Sequence, residues 1–233
     1  MPKLGILISG RGSNMSAIIK SIESGVLNAE ISVVISNKAD AKGLEVASAH
    51  GIHTKSFKPV DYSSRDDYEH DVIACLESYN VDLVILAGYM KLVGDPLLTA
   101  YKGRMLNIHP SLLPSFKGLN AQEQALNYGV KIAGCTVHYV TKEMDAGPII
   151  MQASVPVLSD DTVESLSERI LVEEHKLFPK AIQSVLNKDL TFNVRAMTKM
   201  LESGYILTIL RGVDESLYDY AQVLVRLLFW QPT

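Results

Sequence analysis

The chain has 233 residues, 47% of them apolar and 21% charged, a balance that suits a globular protein of one large or two small domains. Its net charge of −4, with no Lys/Arg block or basic stripe, argues against a nucleic-acid partner, and no run is apolar enough to span a bilayer. Cys75 and Cys135 show neither CxxC nor Cys/His finger spacing, which argues against a metal site and suits a reducing compartment; with an opening apolar run too short for a signal peptide, the expected location is cytoplasmic.

In chain order, "LGILIS" (4–9) reads as a buried strand, because it is continuously apolar and rich in β-branched residues. Helix 14–24 follows, with Met15, Ile18, Ile19 and Ile22 on one face. "ISVVIS" (31–36) is the next strand and 43–50 a short helix. Helix 64–78, with Ser63 or Ser64 as its cap, places Tyr68, Val72, Cys75 and Leu76 at helical spacing. "DLVILA" (82–87) and "RMLNIH" (104–109) complete a set of parallel strands. Strand–helix alternation of this kind predicts a doubly wound α/β sheet with right-handed crossovers. After Gly118 the pattern changes to a mixed half: a helix closed by Gly129, two strands in "KIAGCTVHYV" and "PIIMQASVPV", and a long helix over 162–186. One domain is therefore expected over 1–190, in halves of about 1–100 and 101–190. A tail over 191–233 is read as a strand, "YILTIL", and an apolar helix at 215–230.

Ligands of open α/β sheets bind outside the carboxyl ends of the strands. Two such ends carry unusual residues. In "SGRGSN" (9–14), Gly10 and Gly12 free the backbone to approach a ligand, while Ser13 and Asn14 can cap the helix and expose its amide N–H groups to an anion. A plain tight turn with a helix cap reads equally well, and the pattern is neither a P-loop nor GxGxxG. In "NIHPSLLPSFKG" (107–118), Asn107 and His109 lie on one side of a strand that Pro110 ends. An amide N–H and an imidazole there could stabilise an oxyanion, or could simply satisfy backbone groups. Asp145 lies in a loop beside glycine; folded against His109 it would favour and orient a charged ring.

Taken together and in order, "ISGRGSN", "SNKADAKGLEVA", "LAGYM", "NIHPSLLPSFKG", "GCTVHYV", "MDAGPIIMQ" and "EEH" closely resemble the phosphoribosylglycinamide formyltransferases, folate-dependent enzymes of purine synthesis, over residues 3–187. The resemblance implies formyl transfer from 10-formyltetrahydrofolate, as co-substrate, to the amine of glycinamide ribonucleotide, with no metal. It implies a catalytic trio of Asn107, protonated His109 and Asp145. Gly12, Ser13 and Asn14 would hold the ribose phosphate, and Leu171, Val172, Glu173 and Glu174 would contact the rest of that substrate. Folate would meet Arg65, Met90, Lys91, Leu92 and Val93, Asn107 itself, and the loop of Thr141, Lys142, Glu143, Met144 and Asp145. The other histidines, His50, His53, His70, His138 and His175, are read as surface or core residues.

Three alternatives share features of this reading. Formyltetrahydrofolate hydrolase has the same trio with water as acceptor, but usually an added amino-terminal regulatory domain. Methionyl-tRNA formyltransferase adds an RNA-binding domain and lacks the "GSN" loop. A non-enzymatic phosphate-ligand-binding protein would not need the trio. The expected partners are small-molecule substrates, with neither nucleic acid nor membrane; the apolar tail helix is read as docking on its own domain or, as the sharper alternative, as packing against a second subunit in a homodimer.

Overall fold

A computed structural model describes residues 1–187; the strand and helix expected in the tail lie outside the described residues. Among the described residues, seven strands form one sheet: β1 (Lys3–Ile8), β2 (Glu30–Ser36), β3 (Thr54–Ser56), β4 (Leu83–Leu86), β5 (Met105–His109), β6 (Ile132–Tyr139) and β7 (Ile149–Pro156). Their order is β3-β2-β1-β4-β5-β6-β7. The first five are parallel, whereas β6 pairs antiparallel with both β5 and β7. Doubly wound half and mixed half thus meet at the β5–β6 ladder.

Among the described residues, six α-helices cover the sheet: α1 (Ser13–Glu23), α2 (Lys42–Ala49), α3 (Arg65–Ser78), α4 (Asp95–Ala100), α5 (Ala121–Tyr128) and α6 (Val163–Leu186). Strands β1 and β4 are buried on both faces, which is why they read as unbroken apolar runs. On one face, Met15, Ile18 and Ile19 of α1 and Leu166, Ile170, Phe178 and Ile182 of α6 pack on Ile6, Ile8 and Val34. On the other, Tyr68, Val72 and Leu76 of α3 join Leu97 of α4 over Leu7, Val84 and Leu86. Each buried Leu or Ile side chain contributes about 1.5–3 kcal/mol; a charge at Ile18 would break the first layer.

Caps fix the helix ends. The Ser64 side chain accepts from the Asp67 N–H, as the sequence predicted, and Thr162 and Ser165 form a capping box at α6. Gly129, with φ of 81°, closes α5. Two of these elements, both short, were not anticipated. β3 spans three residues without an apolar period, and α4 spans six, starting at Asp95-Pro96, so neither is long enough for periodicity to emerge. None of the described helices is long and apolar enough to cross a membrane.

Candidate active site

Strand order reverses between β1 and β4, so the carboxyl ends of β1, β4 and β5 open onto one crevice. Ser9, just past β1, holds two of these ends together. Its hydroxyl donates to Asn37 Oδ1 at 2.5 Å and accepts from the Met90 N–H at 2.8 Å.

The loop after β1 turns on Gly12, whose φ of 73° is the left-handed conformation that favours glycine. An added Cβ would stand 3.0 Å from Gly43 Cα, so the loop also depends on a second backbone lying close by. Here one expectation is corrected. The N-cap of α1 is Gly12 itself, with no side-chain cap bond. Asn14 does not cap; its Nδ2 donates to Glu174 Oε2 at 2.7 Å, across 160 positions of chain. No side chain therefore caps the first-turn amides of α1, which lie at the positive end of the helix dipole. Glu174 is buried on α6, and that burial, offset in part by the Asn14 amide, pushes its carboxyl up to about 6. Asn14 Oδ1 is buried with no hydrogen-bond partner. Of the other α6 candidates, Leu171 is half-buried, Val172 is exposed, and Glu173 pairs with Lys176 at 2.8 Å.

At the end of β5, Asn107 and His109 sit two positions apart on the same side of the strand, as predicted. The turn beyond them is held by side chains. Thr136 Oγ1 donates to the Ser111 carbonyl at 2.7 Å and accepts from the Leu113 N–H at 3.0 Å, and Ser111 Oγ donates to the Ser115 carbonyl at 2.6 Å. This brings the Phe116 carbonyl within 2.9 Å of His109 Nε2. Phe116 adopts a φ of 54°, a strained value for a bulky residue. Asp145, with a φ of 48°, accepts from the Gly118 N–H at 2.8 Å and places Oδ2 3.4 Å from His109 Nδ1. Both nitrogens of the nearly buried ring thus face oxygen atoms, the Phe116 carbonyl and the Asp145 carboxylate.

His138, taken above as an ordinary surface or core histidine, belongs to this cluster. It lies directly opposite Asn107 in the antiparallel ladder. Its Nδ1 sits 2.8 Å from the Tyr139 carbonyl and so carries the hydrogen; Nε2 is left as an acceptor, 3.2 Å from Asn107 Nδ2. Burial pushes the ring below the usual histidine range, against the opposing effects of the Tyr139 carbonyl and Asp145. Neutral, it accepts one amide N–H of Asn107 and leaves the other free. Asp145 Oδ1 lies 3.7 Å from the same Nε2. The only signal for His138 in the sequence is its place in a strand, because cross-strand register is invisible before the fold is known.

Arg65, Met90, Lys91 and Leu92 line a cavity of about 570 Å³ between α3 and the segment after β4. Val93 packs against the α3-side core. In the loop 141–145, Thr141 Oγ1 donates to the Glu143 carbonyl at 3.1 Å, Lys142 pairs with Asp95 at 2.9 Å and Glu143 with Lys117 at 3.2 Å, while Met144 is half exposed. No group of three or more His, Cys, Asp or Glu side chains that could hold a metal ion occurs among the described residues.

The profile of the formyl transferase family matches residues 2–182. A phosphoribosylglycinamide formyltransferase of Bacillus subtilis is 42% identical over 186 residues, covering 80% of this chain and 95% of that protein. The human trifunctional purine biosynthetic protein adenosine-3 is 48% identical over 183 residues, and there the match spans 78% of this chain but only 18% of the larger protein. Among solved structures, glycinamide ribonucleotide transformylase 1 from Symbiobacterium toebii superposes with a TM-score of 0.81 at 51% identity, covering 84% of this chain and 92% of that one.

Proposed function

The chain belongs to the formyl transferase family, and from that premise we propose that it transfers a formyl group from 10-formyltetrahydrofolate to the amine of N1-(5-phosphoribosyl)glycinamide in de novo purine biosynthesis. The observation that carries this reading is the cluster of Asn107, His138, His109 and Asp145 at the end of β5, every member within 3.7 Å of another.

In this mechanism the amine attacks the formyl carbon. A C–N bond forms while the carbonyl electron pair moves onto oxygen. The free N–H of Asn107 and the His109 ring donate to that oxyanion, a type of contact worth about a hundredfold or more in rate. The His109 Nδ1 contact to Asp145, at 3.4 Å, is looser than an ordinary hydrogen bond, so this side of the ring yields first to an incoming oxygen. Asp145 remains close enough to balance the ring's charge. The pair then returns from oxygen, the bond to N10 of the folate breaks, and that nitrogen takes up a proton. Water relays the proton given up by the amine. Gly12, Ser13 and Asn14 receive the phosphate on the amides of α1, and Glu174 offers its carboxylate to the ribose or amine. The cleft bounded by Arg65 and Met90–Val93 takes the folate.

Incubation with 10-formyltetrahydrofolate, with and without glycinamide ribonucleotide, tests the whole reading. Formylated product should form only when the acceptor is present. Equal folate turnover without it, releasing formate, would instead make the chain a formyltetrahydrofolate hydrolase. No turnover under either condition would leave a phosphate-ligand-binding protein.

A further inference from the structure

Beside the cavity at α3 lies a carboxylate that the proposed chemistry does not use. Glu69 is only 3% exposed. Its Oε1 accepts from the Gly94 N–H at 2.5 Å and from Arg65 Nε at 3.2 Å, and its Oε2 accepts from the Leu97 N–H at 3.2 Å. Arg65 donates onward, through Nη2, to the Leu92 carbonyl. Gly94 has no room for a side chain, since a Cβ would stand 2.8 Å from both carboxylate oxygens. One buried charge thus ties α3 to the segment after β4 and to the first turn of α4, and its loss would strand two backbone donors and a cation.

The arginine it holds is not buried with it. The Arg65 side chain remains 48% exposed at the wall of the cavity, beside Lys91 and the rings of Tyr62 and Tyr68. An arginine held at Nε and Nη2 presents its remaining N–H edge in one direction. Less rotamer freedom is then lost when an anion binds there. The same latch fixes the far end of the segment whose near end Ser9 holds at Met90.

We propose that Glu69 is a positioning residue for substrate binding: it sets the Arg65 guanidinium and the Met90–Gly94 segment in the arrangement that receives the carboxylate-bearing end of the formyl folate. This inference rests on the folate-cleft reading above. The ligand chemistry follows from the wall, where two cations stand next to aromatic rings. Glu69 acts through Arg65 and touches no reacting atom.

Steady-state kinetics on Glu69→Gln, Gly94→Ala and Arg65→Ala, with both substrates varied, test it. Glu69→Gln keeps the shape and removes the charge; Gly94→Ala displaces the same carboxylate without changing any charge. Both should raise the KM for 10-formyltetrahydrofolate about tenfold, the scale of one charge-assisted hydrogen bond. The KM for glycinamide ribonucleotide and the kcat at saturating folate should stay within about twofold. Combining Glu69→Gln with Arg65→Ala should add little to Arg65→Ala alone. If Arg65→Ala raises the folate KM while both latch variants leave it unchanged, Glu69 is only structural and the cleft reading survives. If Arg65→Ala leaves it unchanged too, the cleft reading fails and the inference fails with it. A uniform fall in kcat that tracks a lower Tm would likewise overturn the positioning role.

Discussion

The two ends of the crevice are built from different materials. At the β1 end, the loop proposed to hold the phosphate is backbone: a left-handed Gly12 and the amides of α1, with side chains in support. At the β5 end, the proposed catalytic cluster is side chains: Asn107, His138, His109 and Asp145, drawn from two antiparallel strands and a loop. A backbone site tolerates changes in side-chain chemistry but not in backbone shape. A side-chain site should show the reverse, keeping its fold when its chemistry is removed.

The largest effect that would test this contrast is Asn107→Ala. Turnover should fall by about a hundredfold or more while the circular dichroism spectrum and Tm stay near those of the parent. Near-parental kcat in that folded variant would remove Asn107 from the mechanism. Next comes Gly12→Val, which forces a β-branched residue to a φ of 73° with its Cβ 3.0 Å from Gly43 Cα. The KM for glycinamide ribonucleotide should rise at least about tenfold, with the folate KM far less affected; comparable rises in both would mean that this loop does not hold the phosphate.

His138 sharpens the comparison, because it shapes the cluster through its neighbour Asn107. His138→Leu removes the acceptor facing Asn107 Nδ2, whereas His138→Gln can restore one. The leucine variant should lose about tenfold in kcat, and glutamine should recover part of it. Identical kcat values for the two variants would contradict the role in orienting Asn107.

The smallest effect lies where the two materials meet, at Glu174. Its carboxyl is raised to about 6 by burial, so between the ordinary carboxylate range and that value the folded chain binds the extra proton. Stability from this group is therefore greatest at low pH and is lost as pH rises through about 6, a change on the order of 2 kcal/mol. Glu174→Gln should flatten this part of the stability profile in urea titrations at pH 5 and pH 8, and should weaken glycinamide ribonucleotide binding. A profile of unchanged slope would argue against a buried, charged Glu174.

The same division explains what could be read from the sequence. Strands β1, β2, β4 and β5 emerged from apolar runs, and α1, α3, α5 and α6 from their periods or terminal residues, because those signals are local. Gly12 was legible because glycine reports backbone shape. Asn107 and His109 were legible as a pair because period two fixes their common side. His138 was not, since its partner lies 31 positions away and only register brings them together. Asn14 was misread as a cap for the same reason: its partner is on the last described helix. Nothing in the sequence singles out Glu69 on a helix that also carries Asp66, Asp67, Asp71 and Glu77, and only the fold brings its carboxylate to the Gly94 N–H.

The bond between Asn14 and Glu174 also has a meaning in time. A chain made from its amino terminus exposes the anion loop early and α6 only after some 160 further residues. Until α6 docks, Asn14 has no carboxylate beside it and the crevice lacks one wall. The proposed ribonucleotide binding would therefore mark completion, available to a finished domain and denied to a nascent or truncated one, and such a ligand would stabilise only the chain that had been made through its last described helix.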